Sequence, residues 1–223
     1  MKEFVWERAQ QSELDWWEKW ERKDEAVLGS GGTSRYPCYM DVFADEFSRE
    51  SILDVGGGAY PLVNWIACRR RVSIDPLNSQ FYEKGFRRNP DVTYLDGMAE
   101  ELPFPDDAFE QVFLLNMLDH LDGWRQAVDE AVRVASNSVL IHVHIDGPFA
   151  GDGMHRVMRE EEIVDCLERK HGGVRVPFAY PPQQKSVLRR YGSRIKHRLL
   201  GRGKKAPIAE EKCWAGLIRK DRA

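Results

Sequence analysis

The fold is decided by residues 52–62, which read Ile-Leu-Asp-Val-Gly-Gly-Gly-Ala-Tyr-Pro-Leu. An apolar run ends in the glycines Gly56, Gly57 and Gly58, and helix-compatible residues follow over 62–68. This order predicts a strand, a tight turn and a helix. Glycine is needed where a turn requires a positive φ or where a ligand must approach the backbone closely. A helix that begins after such a turn directs free N–H groups at a ligand. Alone, the pattern is weak evidence, because a tight turn that binds no ligand can have the same sequence.

Three more segments follow in a fixed order. Residues 72–75 form a short apolar strand that ends in Asp75, which lies 21 positions after Asp54. This is the distance of one βαβ step, and an acid at the end of the second strand is placed to bind ribose hydroxyls. Residues 92–110 then carry a strand and an acidic loop, and residues 112–121 carry a strongly apolar strand. Four motifs in order are more specific than one glycine turn.

This ordered set resembles the class I S-adenosylmethionine-dependent methyltransferases over residues 50–170, about half of the chain. It is most similar to the branch that includes the ubiquinone and menaquinone pathway enzymes and many small-molecule and sugar methyltransferases. The resemblance implies an α/β fold with a Rossmann-like, seven-stranded, mostly parallel sheet, helices on both faces and an antiparallel last strand. It also implies S-adenosylmethionine as cofactor and S-adenosylhomocysteine as product.

The cofactor-binding residues that the resemblance implies lie near the carboxyl ends of the predicted strands. They are Asp54, Gly56, Gly57, Gly58, Asp75, Leu77, Met98, Ala99 and Asn116. Asp54, Gly56 and Gly58 would contact the methionine portion, and Asp75 would bind the ribose hydroxyls. The chain departs from the family where a third spaced glycine is common, because Tyr60 occupies that position.

The adenine side of the expected site contains a second departure. Leu77 would pack on the adenine, Ala99 would offer its backbone N–H to the ring, and Asn116 would meet the amino-acid end. Relatives often have an aspartate where this chain has Met98, and Asp96, two residues earlier, is the available substitute.

Methyl transfer needs alignment and the exclusion of water more than covalent help, although a general base assists an oxygen or nitrogen acceptor. Histidine titrates in the right range. The candidates are His144, His155 and His120, the first two favoured over the third, with a structural histidine as the alternative for each. His142 and His144 alternate on one strand face, so a metal set with Asp146 is conceivable. Packing explains such a pair more often, and no metal is assigned.

Residues 1–34 are predicted to form an aromatic-rich helical extension, and residues 35–223 the methyltransferase domain. The helix is expected over 3–28, before a glycine-rich linker at 29–34. Its tryptophans could fix the helix to the domain or form a lid over the substrate, and the two roles are compatible.

A basic helical insertion is predicted at 183–211. Its segment 185–205 contains nine lysines and arginines and no acid, with apolar residues at helical spacing. This pattern is typical of a basic amphipathic helix. It would be a solvated helix on the sheet edge, or contact an anionic substrate, an anionic membrane surface or, last in order, RNA, since no RNA-binding motif accompanies it.

The composition sets further limits. A net charge of −3 gives no reason to expect a nucleic-acid-binding protein. The four cysteines show no paired spacing, which is typical of a reduced, cytoplasmic protein. We expect no transmembrane segment and no signal peptide. The sequence does not predict the oligomeric state.

The sequence therefore predicts a methyltransferase that acts on a small molecule, most simply at oxygen, with an anionic or carrier-linked acceptor. The alternatives are an RNA or protein methyltransferase that docks through the basic insertion, and a non-catalytic binding module with the same fold. A nicotinamide-dependent dehydrogenase is disfavoured by residues 100–104 and 116–121.

Overall fold

The computed structural model describes residues 5–21, 43–145, 155–176 and 212–220. Its main elements, in chain order, are α1 (Trp6–Glu21), β1 (Ser51–Val55), β2 (Arg70–Ile74), α2 (Asn78–Glu83), β3 (Thr93–Leu95), β4 (Phe109–Leu115), α3 (Trp124–Val134), β5 (Ala135–Ile145), α4 (Glu160–Ile163), β6 (Val174–Arg175) and β7 (Lys212–Arg219). The linker 29–34 and the insertion 183–211 lie outside these ranges. Within them, no helix has the length and apolar character needed to cross a membrane.

The strands form one sheet in the order β3-β2-β1-β4-β5-β7-β6. The first five strands pair in parallel, and β7 runs antiparallel to both β5 and β6. The predicted mostly parallel sheet with an antiparallel end is therefore confirmed. The chain order reverses where β1 lies between β2 and β4, and ligands of such sheets bind beyond the carboxyl ends of the strands at this reversal.

Both faces of the central strands are buried. Along β4, Val112 and Leu114 pack towards α3, while Phe113 packs on the opposite face with Phe43 and Leu62. Burial on both faces explains the nearly continuous apolar sequence of β4 and β5. It also makes these strands a rigid support for the residues at their carboxyl ends.

The helix predicted over 62–68 is shorter in the structure. Only a 3-10 turn forms, at Leu62–Trp65, and the chain is extended again at Ile66, with φ −96° and ψ 128°. Asp54 accepts a hydrogen bond from the N–H of Val63 at 3.1 Å. The first N–H groups of this turn are therefore directed back at β1 rather than at a ligand, and the expected helix dipole is absent from this position.

A buried glutamine joins the sheet to the segment that precedes it. Gln111 is fully buried on β4. Its side-chain amide donates to the carbonyl of Glu46 and to the hydroxyl of Ser138, and its oxygen accepts from the N–H of Ser48. Because the buried side chains of Gln111 and Ser138 find their partners in this network, it holds residues 46–48 against the sheet.

Candidate active site

The glycine turn after β1 is closely packed. Gly56 and Gly58 have φ values of +66° and +64°, which L side chains rarely adopt. A Cβ on Gly56 would lie 2.9 Å from the side chain of Met117, and a Cβ on Gly58 would lie 2.4 Å from the ring of Trp17. Gly57 is packed in the same way against the following proline. Close packing, as well as any ligand, therefore requires glycine at these positions.

Asp75 lies where the sequence predicts it, directly after β2, and its side chain is buried. Its Oδ2 accepts the N–H of Gly58 and its Oδ1 accepts the N–H of Leu77, both at 2.9 Å. Burial raises its pKa to about 6, and the nearby charge of Glu13 acts in the same direction, against the two N–H donors and Arg88. A carboxylate has about four lone-pair positions. Two are therefore left for hydroxyl donors.

Asp54 has a hydrogen-bond partner within the protein. Its carboxylate is buried under the turn and accepts from Val63. Burial raises its pKa to about 7, and the charge of Asp75 adds to the effect. Asp54 therefore supports the glycine turn from the β1 side, and its contact with a methionine portion stays a prediction.

Helix α1 packs directly on the glycine turn. Leu14 and Trp17 are buried in a cluster with residues of the turn and of α2. The ring centroid of Trp17 lies 5.6 Å from that of Tyr60 and 6.0 Å from that of Phe81. Its indole N–H donates to Glu13 at 2.7 Å. These contacts are those of a helix fixed to the domain, and a lid movement stays a prediction.

The residues expected around the adenine differ in how exposed they are. Leu77 is buried in the cluster that contains Trp17, and Ala99 is also buried, while Met98 is 37% exposed. Asp96 accepts the N–H of Ser79 at 2.7 Å and also bonds to the Ser79 hydroxyl. Asp96 therefore accepts hydrogen bonds from the first turn of α2, which gives it a structural role in addition to any contact with adenine.

Asn116 follows β4 in the left-handed conformation, with φ 56°, and its side chain is exposed. Its N–H donates to the carbonyl of His142 at 2.8 Å, which fixes the end of β4 against β5. Met117 is the residue that contacts Gly56. The segment after β4 therefore lies against the glycine turn, as the reversal of strand order requires.

Two of the three candidate histidines are in contact beside this segment. The rings of His120 and His155 meet edge to face with centroids 4.4 Å apart, and both side chains are partly exposed. Asp119 is buried, with its Oδ1 at 3.8 Å from Nε2 of His120. The N–H of Arg156 donates to the carbonyl of Asp119 at 2.7 Å, which joins the two segments. This contact could not be read from sequence, where 35 positions separate the rings.

The third candidate, His144, lies in a separate cluster on β5. His142 is fully buried on the same face, and burial together with His144 lowers the pKa of His142 to about 3. The two rings are 5.2 Å apart. Cys213 on β7 places its Sγ 3.5 Å from Nδ1 of His144. Sequence reasoning missed Cys213, and Asp146 lies outside the described residues.

Comparisons with known proteins assign the fold. Residues 53–160 match the family model described as methyltransferase domain. No curated protein gives a significant match. A Mesorhizobium loti S-adenosylmethionine-dependent methyltransferase has a TM-score of 0.57 at 11% identity, over 82% of this chain and 98% of that chain. A Thermotoga maritima protein described as a possible histamine N-methyltransferase has a TM-score of 0.52 at 16% identity, over 75% and 81%.

A third structure covers more of this chain. The proposed methyltransferase solved with the Trm112 methyltransferase activator of Haloferax volcanii has a TM-score of 0.57 at 11% identity, over 94% of this chain and 98% of its own. At such identities the likeness shows a common fold. The match of residues 53–160 to the methyltransferase domain indicates an S-adenosylmethionine-dependent methyltransferase, which takes S-adenosylmethionine as its cofactor.

The residues present fit this cofactor. Asp75 keeps free acceptor positions for ribose hydroxyls, and the backbone of Gly56 and Gly57 is partly exposed at the turn. Trp17 fills the space next to Gly58. A ligand must therefore approach the turn from another side or displace the indole of Trp17.

Proposed function

We propose that this methyltransferase acts on a hydroxyl group of a small-molecule acceptor. The observation that carries the proposal is the contact of His120 and His155 beside the buried carboxylate of Asp119. A hydroxyl must lose its proton during methylation, and a partly exposed imidazole next to the cofactor turn can accept it. Met117 contacts Gly56, and its carbonyl accepts the N–H of His120, so the imidazoles lie on the segment that packs against the glycine turn.

S-adenosylmethionine, when bound, supplies an activated methyl group and leaves as S-adenosylhomocysteine. Asp75 and the glycine turn hold the ribose and methionine portions, by analogy with the family pattern. His155, supported by His120, takes the acceptor proton as the oxygen–carbon bond forms, and Asp119 is placed to orient the His120 ring. Helix α1 excludes water on the side of Gly58.

An anionic or carrier-linked acceptor is the second part of the proposal. It is supported by the sequence of the segment 185–205, which carries nine basic residues and no acid in a chain of net charge −3. The acceptor would have its charged group recognised by this segment and its hydroxyl directed to His155.

The test is the formation of S-adenosylhomocysteine with a panel of hydroxylated acceptors, each offered with and without a phosphate group. We expect turnover with a phosphorylated member, and a loss of about 10²–10⁴-fold in kcat for His155→Gln. His171→Gln is the matched control, because His171 contacts Asp129 at 3.0 Å, in a different cluster. Cofactor affinity should be unchanged in both variants.

Two results would contradict the proposal. Full activity of both His155→Gln and His120→Gln would show that neither histidine is the general base. Turnover of nitrogen acceptors alone would show that the enzyme methylates nitrogen and not a hydroxyl oxygen.

A further inference from the structure

The antiparallel pairing of β5 and β7 assembles two imidazoles and a thiol from distant parts of the sequence. His142 and His144 alternate on β5 and share a face, and the register places Cys213 opposite His144. The Sγ of Cys213 lies 3.5 Å from Nδ1 of His144, and the ligand atoms of all three side chains are within 4.8 Å of one another.

We propose that His142, His144 and Cys213 bind a transition-metal ion of the zinc class. Zinc binds thiolate at about 2.3 Å and imidazole nitrogen at about 2.0–2.1 Å in tetrahedral geometry, so a sulfur and a nitrogen on one ion lie about 3.5 Å apart. This is the distance from Cys213 to His144. The remaining separations, up to 4.8 Å, close by small rotations of the side chains.

The donor set determines which ions fit. Thiolate and imidazole are ligands for zinc and copper, whereas magnesium and calcium require oxygen donors. The chain has a second group of possible ligands, Asp119, His120 and His155, but it contains no thiolate. Its two histidines also belong to short turns and loops rather than to paired strands. The β5–β7 site is therefore the stronger candidate for a zinc-class ion.

The position of the site suggests how it would be used. His142 is fully buried, while His144 and Cys213 are partly exposed, so an ion can enter from solvent. The described residues supply three ligands, which leaves one tetrahedral position for water or another donor. The site is at the carboxyl end of β5, next to Asn116, and so lies on the ligand-binding edge of the sheet.

The first test uses the full chain, freed of metal with a chelator and titrated with Co²⁺ and then Zn²⁺. We expect one Co²⁺ per chain, a thiolate-to-cobalt charge-transfer band and tetrahedral absorption, all displaced by Zn²⁺. Cys213→Ser should abolish the charge-transfer band, and His144→Gln should lower Zn²⁺ affinity by roughly tenfold or more. Cys68→Ser is the matched control, because Cys68 is partly exposed and bonds to the carbonyl of Arg70.

A second test needs no variant and so does not depend on whether a variant folds. Zn²⁺ should slow the alkylation of Cys213 by iodoacetamide, measured by peptide mass spectrometry, and should leave Cys68 unaffected. Equal alkylation of Cys213 with and without Zn²⁺ would overturn the proposal. So would metal binding that is lost in His120→Gln or His155→Gln and kept in His144→Gln. These readouts do not depend on methyl transfer.

Discussion

Cofactor binding should depend on the ionisation of Asp75. Its carboxylate is buried and its pKa is raised to about 6, so it is ionised at neutral pH and becomes protonated just below. A protonated carboxyl offers fewer acceptor positions to ribose hydroxyls. We therefore expect the affinity for S-adenosylmethionine to be constant above pH 7 and to fall as the pH drops through 6.

The size of the effect follows from the pKa. If only the ionised form binds, the apparent Kd at pH 5 should be about tenfold higher than at pH 7, because each pH unit below the pKa reduces the ionised fraction about tenfold. The charged groups that act on Asp75 are Glu13 on α1, Arg88 after α2 and Asp54 on β1. Removing the negative charge with Glu13→Gln should move the decrease to lower pH.

The assay is calorimetric titration with S-adenosylmethionine between pH 5 and 7. Asp54 also titrates in this range, so the series is repeated with Asp54→Asn. Asp75→Asn should bind weakly at every pH. An affinity that stays flat to pH 5, or a decrease that persists in Asp75→Asn, would refute the reasoning.

Three further predictions concern stability, each measured by urea unfolding. Asp54, with its pKa raised from 3.8 to about 7, stabilises the fold most at pH values below 4 and loses this contribution as pH rises from 4 to 7, so Asp54→Asn should flatten stability between pH 4 and 8, by up to about 4 kcal/mol. Gly58→Ala, with φ +64° and a Cβ 2.4 Å from Trp17, should cost about 2–4 kcal/mol and expose α1 to protease, whereas Gly85→Ala, with φ +78° and open space, should cost only about 1–2 kcal/mol. Gln111→Leu removes three hydrogen bonds, one of them to the buried hydroxyl of Ser138, and should cost about 2–4 kcal/mol, and a loss below 1 kcal/mol would contradict the network.

The sheet could be predicted from sequence because its strands carry their own signals. The apolar runs at β4 and β5 and the acid that follows β2 are local patterns. Once the strands are parallel, these patterns determine which strands are buried and where their carboxyl ends lie. The helix expected over 62–68 was wrong in length, because only a 3-10 turn forms at Leu62–Trp65, and Leu62, Val63 and Ile66 all pack on the sheet. Tertiary contacts of this kind override local helix-forming tendency.

The site was predicted less completely, for a physical reason. Asp75 and the glycine turn lie within one βαβ unit, and their spacing identifies them. The contacts between His120 and His155, and between His144 and Cys213, depend on how distant segments pack. The antiparallel pairing of the last strands was predicted, but its register was not, and only the register places a thiol beside an imidazole.

The account depends most directly on the cofactor site, and the first measurement is calorimetric titration of the purified chain at pH 7.5 with S-adenosylmethionine and S-adenosylhomocysteine. The account predicts binding of both at micromolar concentration, a loss of at least about tenfold in Asp75→Ala, and no change in Asp91→Ala, an exposed acid that pairs with Arg71. Absence of binding, or equal binding in Asp75→Ala, would contradict the placement of the cofactor on the glycine turn.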